Sequence, residues 1–212
     1  MIREIDGSRI AWHVPILAVK MEKEFSAGLV WLRRDLRVED NAALCQALRS
    51  CQKVYCAFVF DREILDPLPR ADRRVEFIRE SLVDLDTRLR AAAGRPGAGL
   101  IVRHGKAVDE IVRLARQLGV QAVFTAHDYE PQAITRDRLV LGALAAAGIA
   151  LHTTKDHVIL EGRELLTKTG TPYTVFTPYK NAWLARIGST GIPHHDCTPH
   201  FPALAERPQA LR

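Results

Sequence analysis

Between Gly28 and Thr153, short apolar runs alternate with helical patterns, and this rhythm narrows the chain to one class of fold. Gly28–Leu32, Val54–Phe60, Leu100–His104, Ala122–Ala126 and Ile149–Thr153 have the length of strands. Val54–Phe60 is almost unbroken in its apolar character, as a strand covered on both faces requires. Helical patterns fill the gaps at Asn41–Arg49, Arg73–Ala92, Ala107–Leu118 and Gln132–Ala147. In the second of these, Val75, Ile78, Leu82, Leu85 and Leu89 recur at the spacing of one helix face. Asp40 reads as the N-cap of the first helix, Asp61–Pro69 as a long loop, and Gly94–Gly99 as the punctuation that stops the second helix. Parallel strands need crossovers, and helices supply them. The sequence therefore predicts an α/β fold: a Rossmann-like, doubly wound, five-stranded parallel sheet with flanking helices and a C-terminal linker.

After Thr153 the rhythm ends. Val158–Leu166 is irregular, Lys168–Pro172 reads as a turn, and Thr177-Pro178 is a helix-start pair leading into Tyr179–Ile187. From Gly188 onward Gly, Pro and His dominate and no periodicity survives, so residues 188–212 are expected to be a flexible tail. At the other end, the apolar stretch Ile10–Val19 is broken by His13 and Pro15 and is too short to span a bilayer. It lacks a small-residue cleavage site, so no signal peptide is expected, and the expected compartment is the cytoplasm. Met21, followed by Glu-Lys-Glu, is expected to be the physiological start, with residues 1–27 an unstructured extension.

Composition excludes little. With 47% hydrophobic and 26% charged residues a packed core is expected, and a net charge of +5 permits an anionic partner without arguing for one. The four cysteines form no secretory framework; Cys45, Cys51 and Cys56 fall in apolar patterns, and Cys197 lies in a His-rich tail whose spacing fits no closed metal site. No Gly-x-Gly-x-x-Gly or P-loop occurs, which removes the standard phosphate sites.

Charges gather where strands end. Ligands of open α/β sheets bind beyond the carboxyl ends of the strands. Arg33, Asp35 and Arg37 follow the first strand; they can clamp the loop or present polar groups to a ligand or partner domain. Asp128-Tyr129-Glu130-Pro131 follows the fourth. Its acids can accept from a heterocycle on which Tyr129 stacks, or can simply start the next helix. His104 ends the third strand as a lone histidine. Phe176, Tyr179 and Trp183, spaced three and four apart with Lys180 between, read as one helix face packed on a neighbour, or as a surface meeting a partner or nucleic acid.

Three of these motifs together resemble the DNA photolyase/cryptochrome family. They are Trp31-Leu-Arg-Arg-Asp35-Leu-Arg37 with Asp40-Asn41, then Asp128-Tyr-Glu-Pro131 with Arg136-Asp137, then Tyr173-Thr-Val-Phe-Thr-Pro-Tyr-Lys-Asn-Ala-Trp183. The resemblance covers residues 28–187 and is to the family's N-terminal α/β domain, which holds a light-harvesting antenna chromophore, a deazaflavin or methenyltetrahydrofolate. It implies an antenna domain at 28–155 and an interdomain linker with a short helix at 156–187. It implies a cofactor site among Arg33, Asp35, Asp128, Glu130 and Gln132, and an interdomain or DNA-proximal surface at Tyr179, Lys180 and Trp183. Folate-binding relatives carry an Asn-Glu pair where this chain has Gln132 and Ala133, and Asp128 stands where deazaflavin-binding relatives carry Asp. The resemblance thus points toward a flavin-like antenna or none.

In the family, a helical C-terminal domain binds FAD and repairs pyrimidine dimers in DNA as a carbon–carbon lyase. No counterpart of that domain is present within the 212 residues. With only Trp12, Trp31 and Trp183, the tryptophan chain that photoreduces flavin has no counterpart either, and no catalytic residue transfers. Implied partners are dimer-containing DNA, met through the full-length protein as a monomer, and no membrane. The alternatives are a cryptochrome-type photoreceptor and an unrelated small-nucleotide-binding α/β module.

Overall fold

A computed structural model describes residues 23–211. Its organising strand is β1 (Phe25–Leu32), buried on both faces. Val30 and Leu32 point into one apolar cluster, and Leu29 and Trp31 into another. β2 (Cys51–Asp61), β3 (Leu100–Gly105), β4 (Ala122–Ala126) and β5 (Ala150–Thr154) complete a parallel sheet in the order β3-β2-β1-β4-β5. α1 (Ala42–Ser50) and α3 (Arg73–Ala93) cover the Val30 face; α4 (Ala107–Leu118) and α5 (Pro131–Ala145) cover the Leu29 face. The predicted doubly wound fold is the observed one. The chain steps from β1 outward to β2 and β3, then crosses back to lay β4 on the other side of β1, so the direction of winding switches between β1 and β4.

Local signals set most boundaries. α3 is capped by Asp72, whose side chain accepts from the Arg74 N–H, and ends at Gly94 in the left-handed conformation. α1 departs from expectation by one residue. Asp40 adopts a left-handed φ of 51°, and Asn41 caps the helix by accepting from the Leu44 N–H. Within the expected loop 61–69, Asp61 caps one short turn of helix, α2 (Arg62–Leu65). β1 begins at Phe25 rather than Gly28, paired with Cys51, so part of the expected extension belongs to the sheet. Lys23 is drawn in as well, its ammonium donating to the carbonyls of Leu48 and Cys51. Gly28 permits this crowding: a Cβ there would meet the Cys51 sulfur at 2.5 Å. The reading of residues 1–20 as an extension without fold, and of Met21 as the start, lies outside the described residues.

The flexible tail expected at 188–212 is not what forms. α6 (Phe176–Thr190) extends beyond both expected ends, and the chain after it returns to the domain. Two short 3-10 turns, Thr198–Ala203 and Gln209–Leu211, carry Ala203 and Leu211 into the core, and Cys197 and Leu204 are buried beside them. The physical reason is an open edge. β3 pairs with β2 only from Cys56 onward, and Leu204 bridges Val54 just before that point, with the Ala205 N–H donating to the Val54 carbonyl at 2.8 Å. Backbone pairing of this kind needs no hydrophobic repeat, so periodicity gave no sign of it. Cys197 is packed on α1, its thiol donating to the Asn41 carbonyl. Among the described residues no helix is long and apolar enough to cross a membrane, and no cluster of three potential metal ligands occurs.

Two outcomes test the docked tail. Leu204→Ala removes a buried side chain at the β2 edge and is expected to cost about 2–4 kcal/mol in urea unfolding. Asp40 holds the tail through its Oδ1, which accepts from the His195 N–H at 2.7 Å. That bond, then the nearby charges of His194, His195 and Arg37, keep its carboxyl below the ordinary range against a smaller opposing effect of desolvation. A depressed folded value means that the contact is complete above the unfolded Asp value of about 4 and is lost as pH falls through the lowered one. Amide-exchange protection factors over residues 194–204 should therefore fall on acidification below about pH 4, ahead of those of the sheet.

Candidate functional site

The β1–β4 ladder is short, pairing only Gly28–Val30 with Ala122–Phe124. Beyond it side chains take over. The Thr125 hydroxyl donates to the Trp31 carbonyl at 2.9 Å, and the Arg33 guanidinium donates to the Ala126 carbonyl and to Asp137 Oδ1 of α5, the latter at 2.6 Å. The carboxyl ends of β1, β2 and β4 thus frame a cleft of about 570 Å³. Its apolar wall includes Phe58, Ile64, Leu65 and Ile78, and its base is Trp31, which is 2% exposed. Two guanidinium groups lie over the indole, Arg33 at 4.7 Å and Arg136 at 5.3 Å from the ring centroid.

Three guanidinium groups and four carboxylates line the cleft, yet their hydrogen bonding is incomplete. Arg136, with its side chain 11% exposed, sits 3.9 Å from Asp61, 3.8 Å from Asp128 and 3.5 Å from Asp137. Arg34 reaches over the rim to Glu130 at 2.6 Å. Even so, Arg33 Nε, Arg136 Nε, Arg136 Nη2 and Asp61 Oδ2 are buried without a hydrogen-bond partner among the described residues. Such groups ordinarily find partners, since leaving one unmatched costs on the order of 1–3 kcal/mol. The set comprises three donors and one acceptor. It is a template for a ligand that offers mainly acceptors.

Of the residues singled out in the sequence, Arg33, Asp128, Glu130 and Gln132 line this one cleft. Asp35 does not. It is 1% exposed and lies under the loop, where Oδ1 accepts from the Arg33 N–H at 2.9 Å and Oδ2 from the Asn41 amide at 3.3 Å. It acts as the clamp that an Arg–Asp pair after a strand also allowed. Tyr129 turns away from the cleft, its hydroxyl donating to Glu161 at 2.7 Å, while His127 Nδ1 sits 2.8 Å from the same carboxylate. Burial, then the Glu161 contact, pushes the Tyr129 phenol well above its usual range. Burial also pushes the Glu161 carboxyl up, but the bonds from His127 and Tyr129 outweigh it and hold the group below the ordinary range. This trio pins the loop after β5 and keeps Tyr129 from stacking in the cleft.

Sequence reasoning missed Asp61, Arg136 and Trp31 as lining groups. Asp61 ends β2 at the same carboxyl edge as the charges after β1 and β4, so the strand-end rule, applied once more, finds it. Arg136 lies one turn into α5 and faces back over the sheet, a direction that helix position 6 alone does not reveal. Tyr179, Lys180 and Trp183 lie on α6, apart from the cleft. No residue of α6 is fully buried, Phe176 being 74% and Leu184 53% exposed; of the expected face only Trp183 is half-buried, and Tyr179 meets the Tyr173 ring edge-on at 6.1 Å.

A family model for DNA photolyase matches residues 28–203. The chain belongs to the DNA photolyase family. It corresponds to the family's N-terminal α/β domain. The deoxyribodipyrimidine photo-lyase of Synechococcus sp. is 33% identical over 164 residues, covering 77% of this chain and 33% of that protein. Cryptochrome-1 of Arabidopsis thaliana is 30% identical over 153 residues, 72% of this chain and 22% of that one. Among solved structures, a Sulfolobus tokodaii photolyase with two FAD molecules, described as implying a novel light-harvesting cofactor, superposes with a TM-score of 0.64 at 27% identity, over 79% of this chain and 36% of that one. The chain spans about a third of the length of the photo-lyases it matches.

The clamp and the rim should separate in a stability measurement. Asp35→Ala strands the Arg33 N–H and weakens the anchoring of Asn41, for an expected loss of about 2–4 kcal/mol in denaturant unfolding. Glu130→Ala breaks a solvent-exposed pair and should change stability by no more than about 1 kcal/mol.

Proposed function

We propose that this photolyase domain holds a planar antenna chromophore in the cleft between β1, β2 and β4. When bound, that group supplies near-UV or blue absorption and passes excitation to FAD, held in the helical part of the intact protein. There the flavin drives cleavage of pyrimidine dimers in DNA. The observation that carries the reading is the cleft's unmatched polar set on an apolar, Trp31-floored base. A tricyclic flavin or deazaflavin presents carbonyl and ring-nitrogen acceptors, which the free N–H groups of Arg33 and Arg136 suit. A pterin presents an amino edge that needs acceptors. Among the described residues Asp61 Oδ2 is the one buried acceptor of the cleft left without a partner, and Ala133 places a methyl group on the cleft wall. Deazaflavin or flavin is therefore favoured over methenyltetrahydrofolate.

The roles divide simply. Arg136 and Arg33 orient the heterocycle, Asp128 holds Arg136 and Arg34 in place, and Glu130 fixes Arg34 across the opening. Gln132, on the first turn of α5, adds an amide to the same mouth. Phe58, Ile64 and Ile78 exclude water from the ring. The exposed face of α6, with Phe176, Tyr179 and Trp183 around Lys180, is the surface on which the helical part docks, with the bound DNA beyond it. Its length of chain is what the relatives possess and these residues do not include. The intact protein acts as a cytoplasmic monomer. A cryptochrome-type photoreceptor uses the same cleft, and the similarity to Cryptochrome-1 keeps that reading alongside; the helical part decides between them.

Reconstitution tests the cleft directly. The purified chain, mixed with a 5-deazaflavin, FMN, FAD or methenyltetrahydrofolate and freed of excess, should retain a flavin-type chromophore with a shifted absorption band. Arg136→Leu should weaken retention about tenfold or more, the loss expected when charge-assisted hydrogen bonds are removed. Retention of the folate alone, or indifference to Arg136→Leu, would overturn the assignment.

A further inference from the structure

A second cavity, of about 680 Å³, opens between α1, the end of β5 and the segment that follows α6, and shares no lining residue with the antenna cleft. Four of its side chains carry a buried polar atom with no hydrogen-bond partner among the described residues: Gln46 Oε1, Thr154 Oγ1, Asp156 Oδ2 and His157 Nε2. Asp156 is the most informative. Its side chain is 1% exposed. Oδ1 is committed, accepting from Arg37 Nη2 at 2.8 Å and from the Ala42 N–H at 2.9 Å. Oδ2 is left free, and an unmatched carboxylate oxygen at that depth calls for a donor.

The surroundings limit what the donor can be. Arg37, Arg49 and Lys155 border the cavity together with Asp40 and Asp156, so its lining carries little net charge and favours a neutral guest. Arg37 and Lys155 are themselves occupied, Lys155 by Glu164 at 2.7 Å, so they do not draw the guest in as an anion trap. The walls between the polar atoms are apolar, from Ala42, Cys45, Val158, Ile159, Ile192 and Pro193. A neutral, flat heterocycle with an N–H edge satisfies all of this. The carboxylate takes the amino group, the Gln46 amide, Thr154 hydroxyl and His157 imidazole take the remaining ring and sugar positions, and the apolar walls enclose the faces.

We propose that this cavity is a second ligand site that binds an amino-purine nucleoside, with Asp156 Oδ2 accepting from the exocyclic amino group. The site is independent of the antenna reading. It is also held rigid: Glu164 fastens Lys155 and accepts from the Glu161 N–H at 2.7 Å, Glu161 is gripped by His127 and Tyr129, and Asp40 secures His195 on the far wall. Preformed walls of this kind lower the ordering cost of binding.

The test titrates the ¹⁵N-labelled 212-residue chain with adenosine, with AMP and with purine riboside, which is adenosine without its amino group. Adenosine should give saturable shifts at Gln46 and across Thr154–His157, and purine riboside should bind about tenfold more weakly or worse. Asp156→Asn should weaken adenosine about tenfold. Because Asp156 also holds Arg37 and the Ala42 N–H, Gln46→Leu, which leaves both of those contacts in place, carries the test if that variant does not fold; it should weaken adenosine several-fold. Tighter, salt-sensitive binding of AMP would identify the nucleotide as the occupant, and equal binding the nucleoside. Equal affinity for adenosine and purine riboside, indifference to Gln46→Leu, or no saturable shift with adenosine or AMP would overturn the proposal. So would shifts confined to Asp128–Arg136, since chromophore binding perturbs that cleft alone and each site can fail without the other.

Discussion

Everything in the cleft depends on how Arg33 closes the gap that the sheet itself leaves open. The β1–β4 ladder stops after three residue pairs, at the point where the winding reverses. Past it, helices on opposite faces pull the chain apart, which is what makes a crevice there. Arg33 spans the opening, bonded to the Ala126 carbonyl on β4 and to Asp137 on α5, while its own N–H is held by Asp35. A planar guanidinium can serve three directions at once because its five donors are fixed in one plane. With two of those directions taken by the frame, the remaining Nε–H is fixed in place without a partner. The structural clamp and the proposed ligand contact are thus the same side chain.

This arrangement also explains why buried arginines are tolerated beside Trp31. Asp61, Asp128 and Asp137 surround Arg136 at 3.5–3.9 Å, distances at which charges compensate without forming close bidentate pairs. The loose geometry leaves N–H groups unsatisfied, at a cost in stability that folded proteins accept mainly at functional sites. The indole beneath offsets part of that cost by presenting its electron-rich face to both guanidinium groups.

The elements whose packing is periodic were legible in the chain. Ala107–Leu118 and Ala122–Ala126 form as the pattern predicts, since each buries a face that only one secondary structure can present. What escaped notice is what periodicity cannot encode. Asp40 and Asn41 are both good caps, and the choice fell to Asn41 because its amide also bonds the carbonyls of Asp35 and Arg37 across the loop. Asp35 and Glu130 look alike as acids at strand ends, yet one is sealed beneath the loop and the other waves at the rim. The difference lies in the loop path, not in residue type. The return of residues 197–211 to β2 depends on one vacant stretch of strand edge and a few isolated apolar side chains, Phe201, Leu204 and Leu211.

That return changes the meaning of α6. A tail hanging free after Gly188 would let the helix wander. Instead the chain is fastened on both sides of it: by β5 and the Glu161–Glu164 loop before, and by Asp40, α1 and β2 after. A 15-residue helix with no fully buried residue, only Ala182, Trp183 and Ile187 being half-buried, draws little from tertiary packing, and in water such helices are marginal. The most exposed apolar positions of α6, Phe176 and Leu184, therefore contribute little to packing within residues 23–211. Tethered at both ends, the helix presents Phe176 and Leu184 at a defined place beside the sheet, where the proposed docking of the helical part would cover them.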